Sequence, residues 1–140
     1  MTFPRLPGWA EELVAESRVG RLAFLDDADR PRALPVTYAL ADDAVWSAID
    51  YKPKASPEPA RLRYLRRRPE AALCVDHYED EWEQLAWVQL LGRVEVLDPH
   101  EGAVGMDALV AKYAPYRERR PDGPLLRLDV ERALHWRAAR

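Results

Sequence analysis

Apolar and polar positions change period several times along the chain, and each change marks an element. "PGWAEELVAESRV" opens with Pro7 and Gly8 and sets Trp9, Leu13 and Val14 at helical spacing, which predicts a short first helix. In "GRLAFLDDADRPRALPVTYAL" the period drops to two. Leu22 and Phe24 alternate on one strand and Leu34, Val36, Tyr38 and Leu40 on the next, on either side of an Asp-rich turn. Pro35 has no N–H to give to a ladder, so it is expected at a sheet edge, at a bulge, or where the backbone faces a ligand. "AVWSAID" predicts a third strand. The Pro-rich "KPKASPEP" cannot be helical and leads into "ARLRYLRRR", a short helix ended at Pro69. There Leu62 and Leu65 can face the core while Arg63, Arg66 and Arg67 share another side.

A strand "AALCVD" and an acidic turn "HYEDE" follow. From Leu85 to Val96 the alternation is sustained, with Ala86, Val88, Leu90, Val94 and Val96 on one face and Trp87, Gln89, Arg93 and Glu95 on the other. Gly92 marks a bulge or bend in this long strand. Met106, Leu109, Val110 and Tyr113 form a helical stripe. The last strand, "LLRLDVERALHW", sets Leu126, Leu128 and Val130 against Arg127, Asp129 and Glu131, while Trp46 and Trp136 read as core residues. Six strands with short turns and two or three peripheral helices predict a mainly β fold, a six-stranded antiparallel barrel, and not a βαβ fold. With no internal repeat, low-complexity tract or linker, residues 1–140 are expected to form one domain.

Composition adds the charge distribution. The net charge is -3, yet residues 52–68 carry seven basic side chains against Glu58 alone, leaving -9 on the rest of the chain. A nucleic-acid binder would spread positive charge over a broad face, so a small polyanion is the better match. No apolar run approaches the ~18–20 residues needed to cross a bilayer, and the start "MTFPRLPGWAEEL" lacks the apolar core of a signal peptide. The expectation is therefore a cytoplasmic protein with neither a membrane nor a nucleic-acid partner. Cys74 stands alone, which rules out an internal disulfide and a multi-cysteine zinc site.

Few residues qualify for chemistry of their own. Cys74, Asp76 and His77 make a poor metal site on a single strand, because Cys74 and Asp76 share a face and His77 points away; no metal is expected. Leu73 and Val75 place Cys74 in an interior strand, where a thiol is usually inert. Ser17, Ser47 and Ser56 lack a nucleophile-elbow pattern, and no phosphate-binding glycine motif occurs. What remains is the basic segment. Lys52 and Lys54 point the same way in an extended chain, and Arg61 and Arg63, at the start of the next helix, can converge on them around a phosphate dianion. Pro53 stiffens the spacing. Trp87 and Gln89, on the more polar face of the long strand, suit a flat ring or a subunit interface.

The motifs "VGRLAFLDDADRPRALPVTYAL", "VWSAID" and "RRRPEAALCVDHYEDEWEQLAWVQLLGRVEVL", in that order, resemble the pyridoxamine 5'-phosphate oxidase-like split barrels. "KPK", "VDHYEDEWEQLAWV" and "KYAPYRERRP" look like the coenzyme F420-dependent oxidoreductase subgroup, the flavin/deazaflavin oxidoreductase B branch. Tyr64, Arg68 and Glu70 depart from the family's usual residues. The resemblance covers about Trp9 to Trp136 and implies a homodimer of FMN-binding-type split barrels, with the cofactor in a groove between subunits. It puts Pro35, Val36 and Thr37 beside the ring, Ser47, Ala48, Ile49 and Asp50 near the ribityl chain, and Lys52, Lys54, Arg61 and Arg63 on the phosphate. Trp87 and Gln89 would reach the cofactor across the dimer. The implied activity is hydride transfer between reduced F420 and an unsaturated small molecule. F420 is preferred to FMN because its phosphate and oligoglutamate tail would engage Arg66 and Arg67 as well. The alternatives are an FMN-dependent reductase or oxidase, or a protein that binds F420 or a tetrapyrrole without catalysis. Tyr38 and Tyr51 are the available proton donors, both better read as structural, so no catalytic residue is assigned.

Overall fold

In the computed structural model, residues 4–49 and 58–139 are described. The chain runs α1 (Gly8–Glu16), β1 (Gly20–Leu25), β2 (Pro31–Val36), β3 (Ala39–Ala41), β4 (Ala44–Ala48), α2 (Ala60–Arg67), β5 (Glu70–His77), β6 (Ala86–Leu97), α3 (Ala103–Lys112), α4 (Ala114–Glu118) and β7 (Leu125–Arg137), with a 3-10 turn at Trp82–Gln84 before β6. The strands form one antiparallel sheet in the order β2-β1-β5-β6-β7-β4-β3. Its two edges, β2 and β3, are neighbours in sequence. Thr37 and Tyr38 carry the chain directly from one edge to the other, so the sheet closes into a split barrel with a covalent crossing where a ladder would otherwise run.

That crossing explains why seven strands form where six were expected. The predicted second strand breaks at Thr37 and Tyr38, whose backbone groups find side-chain partners in place of a ladder. The Tyr38 N–H donates to the Tyr113 hydroxyl at 3.1 Å, and the Ser47 hydroxyl donates to the Thr37 carbonyl at 2.7 Å. Pro35 lies in the edge strand β2, as its missing N–H requires.

Two apolar clusters hold the barrel, one on each side of β4. Val45 and Ile49 point inward with Leu22, Leu73, Val75, Val88, Leu90, Val94, Leu126, Leu128 and Val130, and α1 and α2 close the interior with Ala10, Val14, Leu62 and Leu65. Ala44, Trp46 and Ala48 point outward beneath Met106, Leu109 and Tyr113 of the α3 region. Every residue of β4 is therefore buried. Trp46 lies flat on α3 only because residue 105 is glycine: a Cβ there would come within 2.1 Å of the indole. At the barrel centre the gap is only about 10 Å³, so no ligand fits inside.

The bulge expected at Gly92 is present, and it corrects the assignment of Trp136. Leu91 pairs with Arg132 while Gly92 pairs with Val130, so Glu131 is an extra residue on β7. The extra residue inverts the alternation beyond it. Ala133 and His135 continue the inward face, His135 meeting Trp9 edge-on at 5.8 Å, and Trp136 emerges on the outer face, 45% exposed, opposite Trp87. Simple alternation from Leu126 would have placed Trp136 in the core. Among the described residues, no helix is long and apolar enough to cross a membrane.

Candidate functional site

The seam between β2 and β4 opens into a groove of about 160 Å³ lined by Val19, Pro35, Val36, Thr37, Ser47, Ala48 and Arg61. Five of the residues expected to meet a ring and its side chain thus come together here, and Arg61 joins them from the first turn of α2. Ile49 lies in the interior cluster, its N–H donating to the Pro124 carbonyl at 3.1 Å. Asp50, Tyr51, Lys52 and Lys54 lie outside the described residues. Val19 lines the groove although nothing in its local pattern singled it out.

The remaining arginines of α2 turn away from the groove. Arg63 forms an ion pair with Asp27 at 2.9 Å and covers the Tyr64 ring at 5.0 Å. Arg66 holds Glu58 with both guanidinium nitrogens, and Arg67 and Arg68 share Asp29, each at 3.0 Å. The Asp-rich β1–β2 turn is thus the counter-ion of the arginine helix. Asp29 sits at φ 58°, a left-handed conformation that aspartate tolerates, while the Asp26 carboxylate accepts the Ala28 and Arg30 N–H groups. The Arg30 N–H, with smaller help from Ala28 and the Arg30 and Arg32 charges, holds the Asp26 pKa below its ordinary value despite opposing burial. To hold a phosphate or a polyanionic tail, Arg63, Arg66 and Arg67 would have to exchange Asp27, Glu58 and Asp29 for it. These pairs are exposed and screened by solvent, so an arriving anion can still compete for them.

Behind the groove lies a set of tyrosines. Tyr116 on α4 and Thr37 share a hydroxyl–hydroxyl hydrogen bond of 2.7 Å. Tyr113 meets Tyr116 edge-on at 5.6 Å, and its hydroxyl lies 2.8 Å from the Arg18 carbonyl. The Tyr38 hydroxyl donates to the Val14 carbonyl, and burial pushes its pKa well above the usual tyrosine range. That agrees with reading Tyr38 as structural. Lys112 places its ammonium 4.0 Å from the Tyr38 ring centre and donates to the Ser17 carbonyl at 2.8 Å; burial, with the Arg18 charge second, lowers its pKa to about 8. The segment "KYAPYRERRP" stands out as a motif, but its tyrosines act through contacts with residues 37 and 38 that no spacing reveals.

On the outer face, Trp87 and Gln89 are half-buried beside Cys74, Leu91, Leu134 and the exposed Trp136. Cys74 is only partly buried, and its pKa is raised by burial and then by Asp76, which leaves the thiol protonated near neutral pH. Another cleft, about 590 Å³, lies between the segment from Pro4 to Leu6, α1 and the β3–β4 turn, and is lined mostly by apolar groups. Among the described residues, none of those expected at the site lines it.

Comparison with known proteins agrees with this architecture. A heme-binding protein from Mycobacterium smegmatis is 25% identical with a TM-score of 0.75; the alignment covers 96% of this chain and 56% of that one. A FAD-binding protein from Mesorhizobium loti shares 21% identity over 96% of each chain, with a TM-score of 0.72. An F420 reductase shares 16% identity over 92% of this chain and 98% of its own, with a TM-score of 0.71. No curated protein matches the sequence. The sequence model of the pyridoxamine 5'-phosphate oxidase family matches residues 6–137, nearly the whole chain, and the chain therefore belongs to that family.

Proposed function

We propose that the protein is an F420-dependent oxidoreductase that transfers a hydride between the reduced deazaflavin and an unsaturated small molecule. The observation that carries this reading is the groove, where an edge-strand backbone, two hydroxyl-bearing residues and Arg61 meet at the barrel seam. The Pro35–Thr37 backbone suits one face of a flat ring. Arg61 suits its phosphate, and Lys52 and Lys54, a few residues earlier in the sequence, carry the further charge this reading assigns to it. When bound, the cofactor supplies the redox chemistry, and the chain's residues bind it, orient it and exclude water.

At about 160 Å³ the groove formed by the described residues is smaller than the ~300 Å³ at the low end of small-molecule sites, which leaves part of the enclosure to be supplied. A homodimer would complete it. The outer face bearing Trp87, Gln89, Leu91, Leu134 and Trp136 is the surface we assign to the second copy, with Trp87 and Gln89 reaching its cofactor. An FMN-dependent reductase or oxidase is the second reading, favoured by the internal pairing of Arg66 and Arg67, since FMN carries one phosphate and makes no call on them.

Titration of the purified protein with F420 and with FMN, followed by fluorescence, tests the choice. Saturable F420 binding with acceptor-dependent oxidation of the reduced form supports the first reading. Retained yellow flavin with no F420 affinity transfers the assignment to FMN, and binding without turnover over a broad acceptor screen makes the protein a carrier. The Lys52→Ala, Lys54→Ala double variant should lose roughly 2–4 kcal/mol of affinity, ~1–2 for each charge-assisted bond. Unchanged affinity would move the phosphate elsewhere.

A further inference from the structure

Arg63, Arg66 and Arg67 of α2 each meet a carboxylate, whereas three cations at the C-terminal end of α3 meet only carbonyls. Arg18 Nη1 donates to the Lys112 carbonyl at 2.8 Å, and Arg117 Nη1 donates to the Val110 and Ala111 carbonyls at 3.1 and 2.7 Å. The Lys112 ammonium donates to the Ser17 carbonyl at 2.8 Å. Among the described residues, no carboxylate pairs with any of the three. Acids are not scarce, since the chain carries 24 of them against 21 arginines and lysines.

Part of this positive charge answers the helix. The C-terminus of α3 presents about half a negative charge, and arginine or lysine donors satisfy its last carbonyls. Three full charges exceed that need. Two of them also crowd one ring, the Arg18 and Lys112 charges lying 5.7 and 5.4 Å from the centre of Tyr113. Burial first, and then the Arg18 charge, lowers the Lys112 pKa, so the two cations feel each other there. Arg18 and Arg117 are exposed, and the bonds named above use only Nη1 of each, which leaves Nε and Nη2 as donors for an oxygen acceptor. The corner also adjoins the groove along the chain: Arg18 precedes Val19, Tyr38 follows Thr37, and Val19 and Thr37 line the groove.

We propose that Arg18, Lys112 and Arg117 form an anion site for a phosphate or carboxylate group, separate from the phosphate position assigned to Arg61. An arriving oxyanion supplies the negative charge that the fold withholds from this corner and relieves the repulsion between Arg18 and Lys112. The group belongs to a free small anion or to a molecule whose body lies in the groove, and the two sources are separable by experiment.

The test follows Lys112 by proton–carbon NMR of its ε-methylene, with Lys52 and Lys54 the only other lysines and Lys112→Met providing the assignment. Inorganic phosphate replaces chloride at neutral pH and constant ionic strength, so that general screening stays fixed. A saturable shift of the Lys112 signal is expected. Arg18→Gln keeps a donor for the Lys112 carbonyl but removes the charge, and should weaken phosphate about tenfold or more, the equivalent of one charge-assisted hydrogen bond; Arg117→Gln should weaken it as well. Arg93→Gln, which removes a charge paired with Glu70 on the outer face, should leave the titration unchanged. A Lys112 signal that stays still or drifts without saturating overturns the site, as does a saturable shift that Arg18→Gln and Arg117→Gln leave intact. F420 and FMN then identify the source. If either moves the Lys112 signal and displaces phosphate, the anion belongs to the molecule in the groove; if phosphate binds alike with and without them, the site takes a free anion. The phosphate arms do not require the groove to bind a cofactor, so the inference and the functional reading fail separately.

Discussion

Replacing Tyr113 by Phe removes one oxygen from the barrel seam and should be among the costlier single-atom changes in the protein. The hydroxyl accepts the Tyr38 N–H at 3.1 Å and lies 2.8 Å from the Arg18 carbonyl, and Tyr113 is 8% exposed while Tyr38 is fully buried. No strand neighbour can take over the Tyr38 N–H, because the ladder is broken there for lack of one. The space vacated by one oxygen is too small for a water to enter and serve instead. A buried N–H left without a partner costs about 1–3 kcal/mol, and the lost contact to the Arg18 carbonyl adds ~1, for a total of about 2–4 kcal/mol. Urea unfolding followed by tryptophan fluorescence and far-ultraviolet circular dichroism measures it. With a typical m of ~2 kcal/mol/M, the midpoint should fall by about 1–2 M with the slope unchanged and the two probes coincident. A midpoint within ~0.3 M of wild type would refute the view that this hydroxyl stands in for a ladder partner at the crossing.

Gly92→Ala would place a Cβ 1.9 Å from the Asp129 carbonyl oxygen, a backbone atom that cannot rotate away. A loss of roughly 2 kcal/mol or more is expected in the same unfolding assay, whereas a neutral effect would mean that the β6–β7 bulge is pliable. Lys112 gives a pH-dependent signature. Its folded pKa, lowered to about 8, lies below the unfolded value of ~10.4, so between these the unfolded chain holds a proton that the folded chain has lost. Stability contributed at this site therefore rises with pH above 8. Relative to wild type, Lys112→Met should remove that rise between pH 8 and 10; parallel profiles would show that Lys112 keeps an ordinary pKa.

Much of the fold can be read from the chain because burial in a barrel alternates. The inward series Val88, Leu90, Val94 and the helical pair Leu62 and Leu65 declare themselves, as does the Gly92 bulge. Trp136 was misplaced because a bulge detected on one strand inserts its extra residue, Glu131, on the other, and periodicity alone does not say which strand changes phase. The break at Thr37 and Tyr38 was hidden for another reason: "LPVTYAL" alternates well enough for a strand, and only tertiary contacts with Tyr113 and Ser47 interrupt it. In the site, Pro35 to Thr37, Ser47 and Ala48 came from the resemblance, and the structure brings them to one groove with Arg61. The arginine cluster was legible as charge but not as direction. Arg63, Arg66, Arg67 and Arg68 meet Asp27 and Asp29 of the β1–β2 turn and Glu58, two residues before α2, a balance that appears only when the chain folds.

The most direct test of the account is a crystal structure of the protein soaked with F420, or with FMN if F420 does not bind. The account predicts the ring along Pro35–Thr37 at the seam and the phosphate at Arg61. A ring seated in the larger apolar cleft between α1 and the β3–β4 turn, or a phosphate held at a distance from the start of α2, would contradict it.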